Sequence, residues 1–420
     1  MEQARFTDLL AYIVDNRGKT CPTAPVGVPL IATNCVKNSG IYPTFERVRF
    51  VSKATCESWF RGHPKPGDLI FVTKGSPGQV CLVPDPVPFC IAQDMVALRA
   101  NPKKVYPPYL FAALRSDQVQ LAISNMHVGT MIPHFKKGDF DKLSIPLPDK
   151  NTQRWIGDMY LELSKKIELN RCANGTLEAL AGTLFKDWFV DFGPTRAKME
   201  GRERYLSREI WSEFPDRLVR ESLPETWKES TVGAEFKLTM GQSPPGESYN
   251  KSENGLPFFQ GRTDFGSRYP KKRIFCASPS RVAQVDDTLL SVRAPVGSIN
   301  MAWEECCLGR GVAAIRHVSG YRGFTYYSFL NLRPALAKFE HSGTVFGAIN
   351  KPQLEALKFL APGKGAVDAF ELCVRGMDDR IRSNEAEMST LAEIRDLLLP
   401  RIMRSELRIV DGHSIVDGAI

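Results

Sequence analysis

Apolar side chains recur at alternating intervals of four and three residues in two long stretches of this chain. This heptad pattern is typical of helices that pack against each other along their length. A helix of about 40 residues would be roughly 60 Å long and unstable alone, so we expect the two seams to cover each other. The first seam comprises Ile156, Tyr160, Leu163, Ile167, Asn170, Asn174, Leu177, Ala181, Leu184 and Trp188, and the second Phe370, Val374, Met377, Ile381, Asn384, Met388, Leu391, Arg395, Leu398 and Ile402.

The two stretches belong to an internal duplication. Residues 129–190 align with residues 343–404 without a gap, at a constant offset of 214. An accidental match would drift out of register, whereas this one holds over its whole length. Identical pairs include Gly129/Gly343, Thr130/Thr344, Lys137/Lys351, Leu143/Leu357, Pro148/Pro362, Ile167/Ile381 and Leu177/Leu391.

Asn170 and Asn384 occupy equivalent positions near the middle of the two predicted helices. If the helices pair in antiparallel orientation about a pseudo-twofold axis, that axis should pass near both residues. A polar residue on an apolar seam often fixes the register of the pair, which is our hypothesis for these asparagines. The alternative is that each one faces solvent at a loosely packed point of the seam.

The regions before the helices have a different pattern. Residues 1–148 and 226–362 are rich in glycine and proline and contain short β-like runs, such as 68–72 and 287–292, that lead into turns at Lys74 and Arg293. We predict an α+β protein with two similar globular α/β domains, joined by two long antiparallel helices at 149–190 and 363–405 with pseudo-twofold internal symmetry. The charged residues 191–225 form a partly ordered linker, and 406–420 a C-terminal tail.

Composition and charge narrow the function only slightly. The net charge of +8 permits an acidic polymer as partner, and the absence of a long apolar run argues against a membrane span. The ten cysteines include no Cys-x-x-Cys pair and match no zinc spacing, so we expect reduced, mostly buried thiols in a cytoplasmic protein that holds no metal. Since no phosphate-binding loop, His-Glu-x-x-His motif or Gly-x-Ser-x-Gly motif occurs, we favour a binding protein without catalytic residues.

Four segments then give the chain a resemblance to the specificity subunits of type I restriction–modification systems. The resemblance spans almost the whole chain, and the ordered repeat together with the linker makes it specific. At the end of the linker, Ser222–Trp227 lacks the two glycines of the family's usual Gly-x-Ile-Pro-x-Gly-Trp pattern. This departure affects only the expected conformation of the local turn. The segments are Tyr12–Thr20, Leu184–Pro194, Leu206–Asp216 with Leu223–Trp227, and Gly241–Pro245.

The resemblance implies a function for each part. Each globular part would be a target-recognition domain for one half of a bipartite, asymmetric double-stranded DNA sequence. The helices would fix the spacing of the half-sites and dock two modification subunits, which bind S-adenosylmethionine and methylate adenine N6. Up to two restriction subunits, which use ATP and magnesium, would complete the complex. The chain itself would bind no cofactor.

Candidate DNA contacts follow from the residue types that reach base edges and phosphates. The turns and the segments Gly129–His134 and Gly343–Asn350 recur in both copies, so we expect them near the DNA; an equally simple interpretation of any single cation is a solvated surface. The candidates are Lys37, Arg47, Arg49, Lys53, Arg61, Lys65, Lys74, Thr130 and His134 in the first domain, and Arg262, Arg268, Lys271, Lys272, Arg273, Arg281, Arg293, Thr344 and Asn350 in the second.

Two other functions remain open from the residues alone. The chain could be a DNA nuclease or a self-contained modification enzyme with a diverged active site, in which case it would cut or methylate DNA by itself. It could also be a protein-only scaffold that uses the helices, in which case its complex would show no salt-sensitive DNA binding.

Overall fold

The structure, a computed structural model, describes residues 2–16, 20–126, 133–219, 223–340, 347–403, 409–410 and 414–415. The chain forms two compact units. The first unit consists of Met1–Ala173 and Ser383–Ile420, and the second of Asn174–Arg382. Within the described residues, no helix combines the length and the apolar character that crossing a membrane requires.

The first unit builds its globular part, the first domain, from short strands and three helices. One sheet has the strand order β2-β8-β5-β6, a second has the order β4-β3-β7, and β1 pairs with β9. The strands are β1 (Glu2–Arg5), β2 (Leu10–Val14), β3 (Val28–Ile31), β4 (Arg49–Val51), β5 (Leu69–Val72), β6 (Val80–Leu82), β7 (Cys90–Ile91), β8 (Met95–Ala100) and β9 (Ser144–Leu147), and the helices are α1 (Lys53–Ser58), α2 (Pro107–Arg115), α3 (Asp117–Met126) and the long α4 (Lys150–Phe189).

Aromatic packing holds the first domain together. The side chains of β5 are all buried, and Phe71 on this strand lies 5.5 Å from Phe140 between ring centroids. Phe6 and Phe135 complete this ring cluster, and all four are fully buried. Fully burying a side chain of this size stabilises the fold by about 1.5–3 kcal/mol.

The second unit contains the second domain. Its strands are β10 (Leu218–Val219), β11 (Leu223–Pro224), β12 (Lys228–Thr231), β13 (Phe236–Met240), β14 (Tyr249–Asn250), β15 (Leu256–Phe259), β16 (Phe275–Cys276), β17 (Val282–Ala283), β18 (Thr288–Ser291), β19 (Ile299–Met301), β20 (Cys306–Leu308), β21 (Val312–His317) and β22 (Lys358–Ala361). Its helices are α5 (Gly193–Met199), α6 (Arg208–Ser212), α7 (Val232–Glu235), α8 (Arg322–Asn331), α9 (Arg333–Ala337) and α10 (Lys351–Glu355), and the long α11 (Lys364–Met403) follows. In the tail, β23 (Ile409–Val410) pairs with β24 (Ser414–Ile415).

The two domains share one topology. The sheet β13-β21-β18-β19 repeats the order of β2-β8-β5-β6, and the pair β12-β22 repeats β1-β9. In the first domain β3 lies between antiparallel β4 and parallel β7, and in the second β15 lies between antiparallel β16 and parallel β20. The predicted fold class, two similar α/β domains with two long helices, is therefore confirmed.

Helices α4 and α11 each contain 40 residues and pair within both units. In the first unit, the guanidinium of Arg395 lies over the ring of Tyr160 at 5.3 Å, and the amide of Asn170 donates a hydrogen bond of 2.8 Å to Glu387. In the second unit, the rings of Phe185 and Phe370 lie 5.6 Å apart. In the first unit, rising numbers on α4 meet falling numbers on α11, so the pairing there is antiparallel.

Asn170 and Asn384 are both buried, with 3% and 1% of their surfaces exposed. This burial contradicts the alternative that they face solvent. Since Asn170 bonds to Glu387, less than one turn beyond Asn384, the helices face each other there at nearly equivalent positions. The remaining residues predicted to pair the helices, all buried or half-buried, are Ile156, Leu163, Ile167, Leu177, Leu184, Met377, Ile381, Leu391 and Leu398.

Part of the predicted linker packs on the second unit's core. The ring of Phe214 meets that of Trp188 edge-on at 5.0 Å, and the ammonium of Lys198 pairs with Asp216 at 2.9 Å. Residues 191–225 therefore contain more ordered structure, α5, α6 and the pair β10-β11, than their charge indicates.

Candidate nucleic-acid interface

In the first domain, the turn after β5 is joined to a segment of the repeat. Lys74 forms an isolated β-bridge with His134. The amide of Gly75 donates a hydrogen bond of 2.9 Å to the carbonyl of Pro133, and the amide of Phe135 donates one of 2.8 Å to the carbonyl of Thr73. The backbone at Gly75 has φ +88°, a conformation that glycine adopts without strain. These bonds hold the backbone of Lys74, whose side chain is exposed, beside that of His134.

The second domain repeats this arrangement after β18. Arg293 forms an isolated β-bridge with Ala348. The amide of Ile349 donates a hydrogen bond of 3.1 Å to the carbonyl of Val292, and the amide of Ala294 donates one of 3.2 Å to the carbonyl of Gly347. The structure thus brings each predicted turn against its predicted repeat segment. Residues 127–132 and 341–346, which include Thr130 and Thr344, lie outside the described residues.

A polar cleft of about 500 Å³ lies beside the Lys74 turn. Lysine and arginine in such a cleft suit phosphates and guanine, and glutamine suits the edge of adenine. Four of its residues were not among the predicted contacts, because no charge run or periodicity marks them: Asp15, Thr73, and Gln93 and Asp94 in the short connection between β7 and β8. The cleft is lined by Asp15, Arg61, Thr73, Lys74, Gln93, Asp94 and His134.

Buried Asn16 positions the loop that carries Arg61 into this cleft. Its side-chain oxygen accepts hydrogen bonds from the amides of Arg61 and Gly62, at 3.0 and 3.3 Å, and its amide donates to the carbonyl of Gly62 at 3.0 Å. All three bonds are made by one side chain that is only 3% exposed. The loop is therefore held in place before any ligand binds.

The other cations predicted in the first domain are exposed and dispersed. Lys37 pairs with Glu46 at 3.6 Å, and the backbone amide of Lys65 donates to buried Asp68 at 2.8 Å. Arg47 has a left-handed backbone with φ 53°. The exposed members of the set are Lys37, Arg47, Arg49, Lys53, Arg61 and Lys65.

In the second domain, the predicted basic cluster forms several ion pairs. Lys272 pairs with Glu304, Arg273 pairs with Asp264, and Arg262 donates to the hydroxyl of Ser298 at 2.8 Å. Arg262, Lys271, Lys272, Arg273, Arg281 and Arg293 are exposed. Asn350 is also exposed, and its side chain caps α10 by accepting from the amide of Gln353 at 2.9 Å.

The prediction that Arg268 contacts DNA is wrong. Only 1% of its side chain is exposed, and its guanidinium bonds to Asp378 at 2.6 Å and to Glu178 at 3.3 Å. The same group lies 3.6 Å from the ring centroid of Tyr326. Arg268 therefore neutralises the buried Asp378 of α11 and the half-buried Glu178 of α4 within the second unit and has no surface to offer a ligand.

Comparisons with known proteins show what the chain is similar to. The family model of the type I restriction modification DNA specificity domain matches residues 27–179. The chain is similar to the putative type I restriction enzyme MjaX specificity subunit of Methanocaldococcus jannaschii, with 28% identity over 370 residues that cover 82% of this chain and 79% of the relative. It is also similar to the type I restriction enzyme HindI specificity subunit of Haemophilus influenzae, with 24% identity over 410 residues, 82% of this chain and 87% of the relative.

A solved structure supports the fold. The type I restriction-modification system S subunit from M. genitalium matches 96% of this chain and 95% of its own, with a TM-score of 0.57 and 17% identity. At that identity the likeness concerns the fold alone.

Proposed function

We propose, on the premise that this chain belongs to the type I restriction–modification specificity subunits, that its two domains each recognise one half of a bipartite, asymmetric DNA target. One observation carries the proposal. The same backbone bridge places Lys74 beside His134 in the first domain and Arg293 beside Ala348 in the second. An equivalent surface with different side chains is what two unlike half-sites require.

Direct recognition of bases would come from the exposed residues at these two turns. Lysine and arginine bind the O6 and N7 acceptors of guanine, and arginine does so with two hydrogen bonds. The dispersed cations, such as Arg49 and Lys53, would contact phosphates, which contribute affinity without sequence preference.

The outer faces of α4 and α11 support a second part of the proposal, the docking of two identical modification subunits. Leu180 is 53% exposed and Ile394 is 41% exposed, and they occupy equivalent positions of the repeat. Thr176 and Thr390 are also equivalent and exposed. A surface that occurs twice suits two copies of one partner, and exposed apolar side chains are typical of such interfaces.

The chemistry would then reside in the partners. The modification subunits would bind S-adenosylmethionine, and up to two restriction subunits would bind ATP and magnesium. The specificity-subunit relatives support a recognition role for this chain. If it is non-catalytic, the purified chain will neither cut nor methylate DNA, and activity of the chain alone would contradict this part.

Mapping of methylated adenines tests the proposal in cells. A host that expresses this chain with its modification subunit should acquire N6-methyladenine in one bipartite motif with a fixed, unspecified spacer. The control is a host that expresses the modification subunit without this chain, which should acquire none. An uninterrupted motif, or methylation that is the same in both hosts, would refute the proposal.

A further inference from the structure

The first domain brings together three side chains that could bind a metal ion. These are Cys56 on α1, His63 on the loop before β5 and Cys90 on β7. One ligand atom from each lies within 4.8 Å of the others, and the two sulfurs are 3.1 Å apart. Three potential ligands, two thiols and one imidazole, therefore converge from separate elements.

The surroundings of this cluster favour a closed site. Cys90 belongs to a small buried group with Leu30, Val51, Phe60 and Ala92, against which Cys21 and Cys56 pack. Cys21 lies just before Ala24, whose amide donates to the carbonyl of Phe50 at 2.8 Å and so ties this segment to β4. A fourth soft ligand is thus present in the same group.

We propose that Cys56, His63 and Cys90 bind a Zn²⁺ ion, with Cys21 as the fourth ligand. Thiolate and imidazole are the ligands that zinc prefers, and a set of three cysteines and one histidine is a closed, structural site. Zinc–sulfur bonds of about 2.3 Å in a tetrahedron put two sulfurs about 3.8 Å apart. The observed separation of 3.1 Å needs only a small outward movement to reach this value.

A disulfide between Cys56 and Cys90 is the competing use of the same atoms. A disulfide bond measures about 2.05 Å, so 3.1 Å is a contact between two thiols and not a bond. A disulfide would make no use of the imidazole of His63, which packs on Phe60 at 5.5 Å between ring centroids and has a ligand nitrogen within 4.8 Å of both sulfurs. The participation of the histidine is the observation that favours the metal.

The ion would tie together α1, β7 and the loop that follows Arg61. Asn16 already holds this loop at Arg61 and Gly62, and a metal at His63 would hold it at the next residue. The zinc site does not depend on the DNA-recognition proposal, because metal binding is measured without DNA.

Metal content of the full-length chain, purified under reducing conditions without chelator, tests the proposal. We expect one zinc ion per chain by elemental analysis. Cobalt(II) added to the chain after chelator treatment should give the visible spectrum of tetrahedral cobalt together with a thiolate charge-transfer band. The variants His63→Ala and Cys90→Ser should lose the metal, whereas Cys172→Ser, on the exposed face of α4, should retain it.

His63 is exposed, so His63→Ala should keep its fold, which circular dichroism would verify, and its loss of zinc would report on ligation alone. In Cys21→Ser, the thiolate band of cobalt should weaken by about one third, and an unchanged band would refute Cys21 as the fourth ligand. A chain that binds neither zinc nor cobalt, a folded His63→Ala variant that retains its zinc, or a Cys56–Cys90 disulfide in the protein isolated from cells would each refute the site.

Discussion

Arg268 and Arg273 belong to one basic run of sequence, but the fold gives them opposite environments. Arg273 is exposed and pairs with Asp264, whereas Arg268 is buried between Asp378 and Glu178. An exposed ion pair contributes at most about 1 kcal/mol, because water and salt screen it. A buried pair that loses one partner leaves an uncompensated charge, which costs about 3–5 kcal/mol.

We therefore expect Arg268→Ala to lower the free energy of unfolding by about 3–5 kcal/mol, and Arg273→Ala by less than about 1 kcal/mol. Urea unfolding of the two variants beside the parent chain measures this. Equal losses would contradict the buried role of Arg268. The double variant Arg268→Met with Asp378→Leu should recover part of the loss, since a packed apolar pair replaces the two buried ions and only the half-buried Glu178 keeps its charge.

At this scale the sequence indicates residue types but not environments. Arg268 meets Asp378 across 110 residues of chain and Glu178 across 90, and no local pattern records either contact. Gln93 enters the cleft through a short connection that has no periodicity. Cys56 and Cys90 converge with His63 at spacings that match no zinc motif, because their elements meet only in the folded domain.

Helices were the most predictable elements. The heptad pattern places them at 149–190 and 363–405, and the structure begins them at Lys150 and Lys364 and ends them at Phe189 and Met403. A seam repeats the same physical requirement at every turn, so it is visible in a single sequence. Strands such as β5, β18 and β20 are short and buried on both faces, and periodicity alone does not assign such runs.

Asn170 and Asn384 are polar interruptions of that seam at equivalent positions. Replacing both with leucine should maintain or raise the free energy of unfolding, since apolar seams are more stable, but should admit other registers of the helix pair. The preference of the complex for its cognate spacer over one that is a base pair longer should then decrease. Lys186→Ala, at an exposed position of α4 outside the proposed docking surface, is the control. An unchanged spacer preference in the double variant would contradict the register hypothesis.

The exposed apolar positions of the helices test the docking surface. Leu180→Asp or Ile394→Asp should each remove one of two modification subunits, with affinity at that surface reduced at least about tenfold, the effect of about 1.4 kcal/mol. Native mass spectrometry counts the subunits. Leu372→Asp is the matched control, because Leu372 is 70% exposed and its repeat equivalent is the polar Asp158. Full assembly of the variant with both changes would contradict the proposed surface.

For the molecule as a whole, the duplicated topology and the diverged side chains have separate roles. The shared sheets and helices provide two equivalent surfaces, and the residues at the turns make them different: Lys74 with His134, and Arg293 with Ala348. The central claim is that each domain recognises its own half-site independently of the other. Distant, independent contacts contribute additively to the binding free energy.

The measurement that tests this claim most directly is the binding of Lys74→Ala and Arg293→Ala complexes to cognate DNA and to two DNAs with one half-site scrambled, at one salt concentration. Each variant should lose about 1–3 kcal/mol on cognate DNA. On the DNA in which the half-site of the substituted domain is already scrambled, each variant should lose no further binding free energy. On the DNA in which the other half-site is scrambled, it should lose the full amount. The two variants should therefore show opposite preferences between these two DNAs. Equal losses for both variants on all three DNAs would contradict the account.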